Sequence, residues 1–108
     1  MCIRDRYQGV LGTNEALYAW MDEGFTSWTS TEIMNHLRGK GFLNGEFSDQ
    51  PHAGSFNGYR NYFKSGKVEP MSTHADHFST NYAYWLTAYT GGQTFLEQLQ
   101  YILSLIHI

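Results

Sequence analysis

Cysteine is almost missing from this chain: of 108 residues only Cys2 carries a thiol. That excludes a disulfide framework and a thiolate zinc site. Charge is sparse as well, at 16% of residues, and the balance is −3. A net negative chain has the wrong sign for a phosphate backbone, so no nucleic-acid partner is expected. Long apolar runs are also lacking. The most apolar stretch, Tyr101 to Ile108, is too short to cross a bilayer, so no membrane segment is expected either. No repeat of fixed period is visible. What the chain does have is aromatic side chains, 17% of the total, which is the composition of a folded core and not of a disordered tail.

The two ends have an unusual relation. Met1-Cys2-Ile3-Arg4-Asp5-Arg6 translates from ATG-TGT-ATA-AGA-GAC-AG, and Leu103-Ser104-Leu105-Ile106-His107-Ile108 translates from its reverse complement, CTG-TCT-CTT-ATA-CAC-AT. That DNA resembles a transposase adapter from sequencing-library preparation. Residues 1–6 and 103–108 are therefore expected to be adapter translations, and 7–102 an internal piece of a larger domain. Without Arg4, Arg6 and Asp5 the piece keeps five Lys/Arg against nine Asp/Glu, a net charge of −4, and it contains no cysteine.

Three regions follow from the pattern. A helix is predicted from about Glu15 to Leu37, with Asn14 as N-cap and Gly39 just past its end. Met21, Phe25 and Trp28 make one apolar stripe, and Ile33, Met34 and Leu37 continue a buried face. Glu23 falls roughly 200° from Met21 at about 100° per residue, and so faces another partner. The clusters Thr26-Ser27 and Thr29-Ser30-Thr31 form helix only moderately, so tertiary packing must hold this one. From Arg38 to about Ser79, glycines at 39, 41, 45, 54, 58 and 66 predict loops and short turns, with one short helix over 57–63. The last region, Thr80 to Ile102, reads as helix capped by Ser79 or Thr80, with Phe95, Leu96, Leu99 and Ile102 on one face. Gly91-Gly92 interrupts it. Each glycine costs about 1 kcal/mol relative to alanine inside a helix, so a break or a tight backbone approach is expected there.

Ala19-Trp20-Met21-Asp22-Glu23-Gly24-Phe25 resembles the segment that supplies the third zinc ligand in M1-type zinc aminopeptidases. There an H-E-x-x-H helix gives two histidines and a general-base glutamate, and the third ligand follows at a fixed interval in an Asn/Asp-Glu-Gly-Phe setting. Counting that interval back from Glu23 places the second histidine at position 4 and the base at position 1, where Arg4 and Met1 stand, and the first histidine before Met1. Tyr84 and Tyr89 in Tyr84-Trp85-Leu86-Thr87-Ala88-Tyr89-Thr90-Gly91-Gly92 look like the family's tyrosine pair. Tyr89 opens the Tyr-x-x-Gly helix. Many members carry Lys where Gly91 stands. Tyr7-Gln8-Gly9-Val10-Leu11-Gly12 resembles the stretch just after the second histidine.

The resemblance implies a mainly α fold, the helical lobe of a thermolysin-like zinc peptidase catalytic domain with a loop-rich middle segment. It implies one zinc ion in the parent protein with Glu23 as a ligand, Tyr89 as the catalytic oxyanion donor, Tyr84 near the substrate, and Asp22 supporting the ligand or capping the helix. The implied substrate is a peptide, cleaved at its N-terminal bond. The chemistry suits these residue types. Catalytic zinc takes three N/O ligands and leaves a position open, and a preorganised phenol facing the developing oxyanion contributes about 2.7–4 kcal/mol. Lacking two ligands and the general base, the chain alone is expected to be inactive.

Two other readings stay open: a non-catalytic, aromatic-rich module that stacks on sugars or peptides, and a degenerate family member with a structural role. A rival metal site is His74-Ala75-Asp76-His77, which His52 could join. His36 sits where it would complement a helix dipole.

Overall fold

Two glycines decide how the long helices meet. The computed structural model describes residues 12–106, and it is mainly helical, with no strand among the described residues. Helix α1 spans Ala19–Gly39 and α2 spans Ala53–Lys64. A 3-10 turn, Ala75–His77, leads to α3, Asn81–Trp85. That helix runs without interruption into a π-helix, Leu86–Gly91, and then α4, Gly92–Ile106. A Cβ on Gly24 of α1 would lie 2.8 Å from Gly92 Cα, and one on Gly92 would lie 2.8 Å from Gly24 Cα and 3.1 Å from Trp20 O. Only a glycine on each side allows backbones this close. Around that crossing Trp20 meets the edge of Phe95, with ring centroids 5.4 Å apart.

This crossing changes which face of α1 is buried. Ala19, Asp22, Gly24, Thr26 and Asn35 are the buried positions, while Ile33 and Met34 are exposed, contrary to the apolar face expected for them. Close backbone approach buries the small residues beside Gly24, and the larger side chains are held off to the flanks. The helix also starts later than its pattern suggests. Asn14 does cap, but it caps a single turn at 15–17: its side chain accepts from Leu17 N at 3.3 Å, and its carbonyl accepts from Tyr18 N at 2.8 Å. A continuous helix would give the Ala16 carbonyl to Trp20 N. Here that carbonyl accepts from Ala75 N at 2.7 Å, and Tyr18 leaves helical geometry.

At its other end α1 includes Gly39, which was expected just outside. Gly41 takes the left-handed conformation instead, at φ +75°. Phe42 N donates to Leu37 O and Gly41 N to Arg38 O, the paired bonds of a Schellman stop. His36 and Arg38 lie in the last turn, where positive charge suits the helix dipole.

The middle segment holds more helix than its glycines suggest. α2 begins at Ala53 and contains Gly54 and Gly58, so the element predicted over 57–63 is longer on its N-terminal side. What offsets the glycines is the anchor at its far end. Tyr62 is buried with Ala83 and Leu86, flanked by Tyr59, Val68 and Phe78, and its hydroxyl donates to Lys67 O at 2.9 Å. Between α1 and α2, Asn35 and Ser48 exchange two bonds of 2.9 Å that fix the loop on the helix.

Of the two caps the sequence offers, Thr80 and not Ser79 caps α3, its hydroxyl accepting from Ala83 N at 3.0 Å. In α4 only Leu96 of the expected stripe is buried; Phe95, Leu99 and Ile102 are exposed, and the helix continues past Ile102 to Ile106. No helix among the described residues is long and apolar enough to cross a membrane.

Candidate functional site

The glycine crossing brings the acidic start of α1 against the π-helix. Tyr84 stands on α3 and Tyr89 on the π-helix, their ring centroids 6.3 Å apart and nearly perpendicular at 77°. Phe78 closes the other side of Tyr84 at 5.5 Å. Burial raises the Tyr84 phenol above its ordinary value of 10.0, and the carboxylates of Glu23, Glu15 and Asp22 raise it further. Those charges disfavour a phenolate, so the hydroxyl keeps its proton and remains a donor.

Glu23 thus lies near enough to Tyr84 for its charge to act on the phenol. It is half-buried, while Asp22 beside it in the first turn of α1 is 4% exposed. A carboxylate in a first turn is favoured by the unpaired N–H groups there. Tyr89 also lines a cleft of about 600 Å³, together with Ser27, Tyr62, Tyr82, Trp85 and Gln93.

Of the break or tight backbone approach expected at Gly91-Gly92, only the tight approach is there, since the helix runs on through both glycines. The winding that ends at Gly91 is a π-helix, a form often found where a helix is adapted to function. Gly92 makes the tight approach to Gly24, and a Cβ on Gly91 would come within 2.8 Å of the Tyr59 ring. The position where many M1-type members have Lys is thus covered here by Tyr59, which leaves no room for a side chain. Burial raises the Tyr59 phenol too, with Tyr62 adding to the effect.

No family model, curated protein or solved structure matches the chain.

His74 and His77 do lie together, with ring centroids 5.0 Å apart, but His74 Nδ1 is taken up by Asp76 N at 3.2 Å. His52 does not join them. It lies with Glu32 and Glu97, and that trio is the only group of three metal-binding side chains among the described residues. Neither glutamate stood out in the sequence, since the three residues come from three helical elements and share no spacing motif. The stretch 7–11, matched to the segment after the second histidine, lies outside the described residues, as do positions 1–6 and 107–108.

Proposed function

We propose that this chain is part of a zinc-dependent aminopeptidase of the M1 type and supplies the lobe that closes over the metal helix. The observation that carries the proposal is that the Glu23 carboxylate, far away in sequence, acts on the Tyr84 phenol, whose ring packs on Tyr89, beside a crossing of small residues. Among the described residues Glu23 belongs to no trio of metal-binding groups. One half-buried carboxylate fits the role of a third ligand to an ion whose two imidazoles come from an H-E-x-x-H helix that this sequence does not contain. The ion would supply Lewis acidity toward water and the scissile carbonyl.

The residues present would do the rest. Tyr89 would donate a hydrogen bond from its phenol to the carbonyl oxygen as negative charge builds there. Tyr84, kept neutral by burial and by the nearby carboxylates, borders the same place as a second donor toward the peptide. Asp22, buried next to Glu23 in the chain, would support the ligand's surroundings. Cleavage at the N-terminal residue follows from the family resemblance alone.

A second reading has an observation of its own. Tyr82 and Trp85 are exposed and stacked, with centroids 6.4 Å apart and planes at 26°, on the rim of the Tyr89 cleft. That platform suits a non-catalytic module that binds a sugar or peptide ring face.

Reading the source DNA upstream of the Tyr7 codon separates the two. An H-E-x-x-H sequence ending three residues before Tyr7 supports the peptidase. With the two segments joined, Tyr89→Phe should then lower kcat by about 10²–10³ with bound zinc unchanged. An open frame without that motif overturns the peptidase and leaves the binding module.

A further inference from the structure

About nine residues along α1 from Glu23, roughly 13 Å at 1.5 Å per residue, lies a second constellation built from other side chains. His52, at the N-cap of α2, is 4% exposed, and its ring lies flat against Trp28, with centroids 5.9 Å apart and planes at 1°. Its Nε2 is 2.7 Å from Glu32 Oε1 on α1 and 3.5 Å from Glu97 Oε2 on α4. One ligand atom from each of the three residues falls within 4.8 Å of the others. Both glutamates are 40% exposed and line a cavity of about 450 Å³, and a second cavity of about 480 Å³ reaches His52 and Glu97. A small ion has a route in from solvent.

We propose that Glu32, His52 and Glu97 form a site for one divalent first-row transition-metal ion that clamps α1, α2 and α4 together. The charges favour it, since two carboxylates cancel the ion's two positive charges around one neutral imidazole. The distances suit it. Ligand atoms about 2.1 Å from a tetrahedral ion stand roughly 3.4 Å from one another. The His52–Glu97 separation is already close to that, Glu32 needs to withdraw from His52 by about 0.7 Å, and the two part-exposed carboxylates, whose ligand atoms lie within 4.8 Å, can adjust to each other.

The group behind the histidine permits the required tautomer. Gln93 donates from Nε2 to His52 Nδ1 at 2.7 Å and to Thr31 Oγ1 at 3.0 Å, and its Oε1 accepts from Ser55 Oγ at 2.8 Å. In this arrangement the His52 proton sits on Nε2 and points at Glu32. The other partners of Gln93 are hydroxyls, which donate as well as they accept. A half-turn of the amide keeps every bond: Oε1 accepts from Nδ1–H and from Thr31, and Nε2 donates to Ser55. His52 Nε2 then offers a lone pair between two carboxylates, with its other nitrogen held by a carbonyl, as in most metal-binding histidines.

The test is a titration of the whole chain with Co(II) at neutral pH after chelator treatment, following Trp emission and far-ultraviolet circular dichroism. An ion on His52 Nε2 should quench Trp28 through the stacked ring, saturably, with one-to-one stoichiometry and reversal by chelator. Trp28→Phe should remove that quenching while the visible absorption of bound cobalt remains. Glu32→Gln with Glu97→Gln should weaken binding at least tenfold, Glu97→Gln alone should weaken it measurably, and His74→Ala with His77→Ala should leave it unchanged. If the chain is unfolded without the ion, cobalt should induce helix, because binding and folding are linked. The proposal is overturned by a wild-type chain that gives neither saturable quenching nor induced helix. It is equally overturned if both glutamine variants bind as tightly as wild type, or if the response follows His74 and His77. These residues are separate from the Glu23 site, so the outcome does not depend on the upstream motif.

Discussion

The crossing at Gly24 and Gly92 and the outer stripe of α4 make opposite use of their residues. The first contains almost no side chain and is buried; the second carries Phe95, Leu99 and Ile102 and is exposed. A groove of about 430 Å³ between Phe25, Trp28, Leu96, Leu99 and Leu103 continues that apolar surface. In this molecule burial follows how near two backbones can come more than how apolar a side chain is. Stability should therefore respond most to small residues.

The largest expected effect is at the crossing. Gly24→Val puts atoms where the backbone of Gly92 already lies, and should lower stability by about 3 kcal/mol, read from thermal or urea unfolding. An unchanged melting curve would break the contrast with the stripe. Next comes Thr80→Ala, which removes the cap on Ala83 N and should cost about 1 kcal/mol while leaving the Gly24 contact intact. On the stripe itself, Leu99→Ser should change unfolding by no more than about 0.5 kcal/mol and should lessen any concentration-dependent self-association seen by sedimentation. A cost like that of Gly24→Val would mean the stripe is buried in solution.

The smallest effect is a titration. The raised value for Tyr84 means the folded state favours the neutral phenol, so this contribution is complete below pH 10.0 and is lost as pH climbs through the higher folded value. Tyr84→Phe should flatten part of the alkaline fall in stability. Glu23→Gln should bring the Tyr84 phenolate midpoint back only part of the way, since burial is the larger cause. Ultraviolet difference spectra would show both, and a midpoint unmoved by Glu23→Gln would separate the carboxylate from the tyrosine pair.

Local signals were the legible ones. The hydroxyl cap at Thr80 depends on residues within a turn of one another, and the adjacent glycines 91 and 92 mark a close approach even though its partners, Gly24 and Tyr59, are distant in sequence. The start of α1 could not be read, because it is set by a bond from Ala75 to Ala16 across a wide stretch of chain. The same holds for Gly54 and Gly58, whose helix is secured by Tyr62 in a core built with Ala83 and Leu86. Ile33 and Met34 have helical spacing, but spacing does not say which side a glycine pair will draw inward. As for the site residues, Glu23, Tyr84 and Tyr89 came to notice through motif resemblance; the fold packs the two tyrosine rings together, and the Glu23 charge acts on Tyr84. Glu32, His52 and Glu97 had no motif, and only three elements converging brought them into view.

The π-helix between Leu86 and Gly91 has a consequence for how α3 and α4 are phased. A π turn carries one residue more than an α turn, so everything after it is rotated by about 100° relative to an unbroken α-helix. Winding the same residues as a regular α-helix would swing Gly92 away from Gly24, whereas deleting a single residue within 86–91 would restore regular winding with Gly92 still facing it. The wide turn therefore absorbs one residue in the angular register of the chain. By setting that phase it directs the featureless side of α4 toward α1 and turns the aromatic side outward.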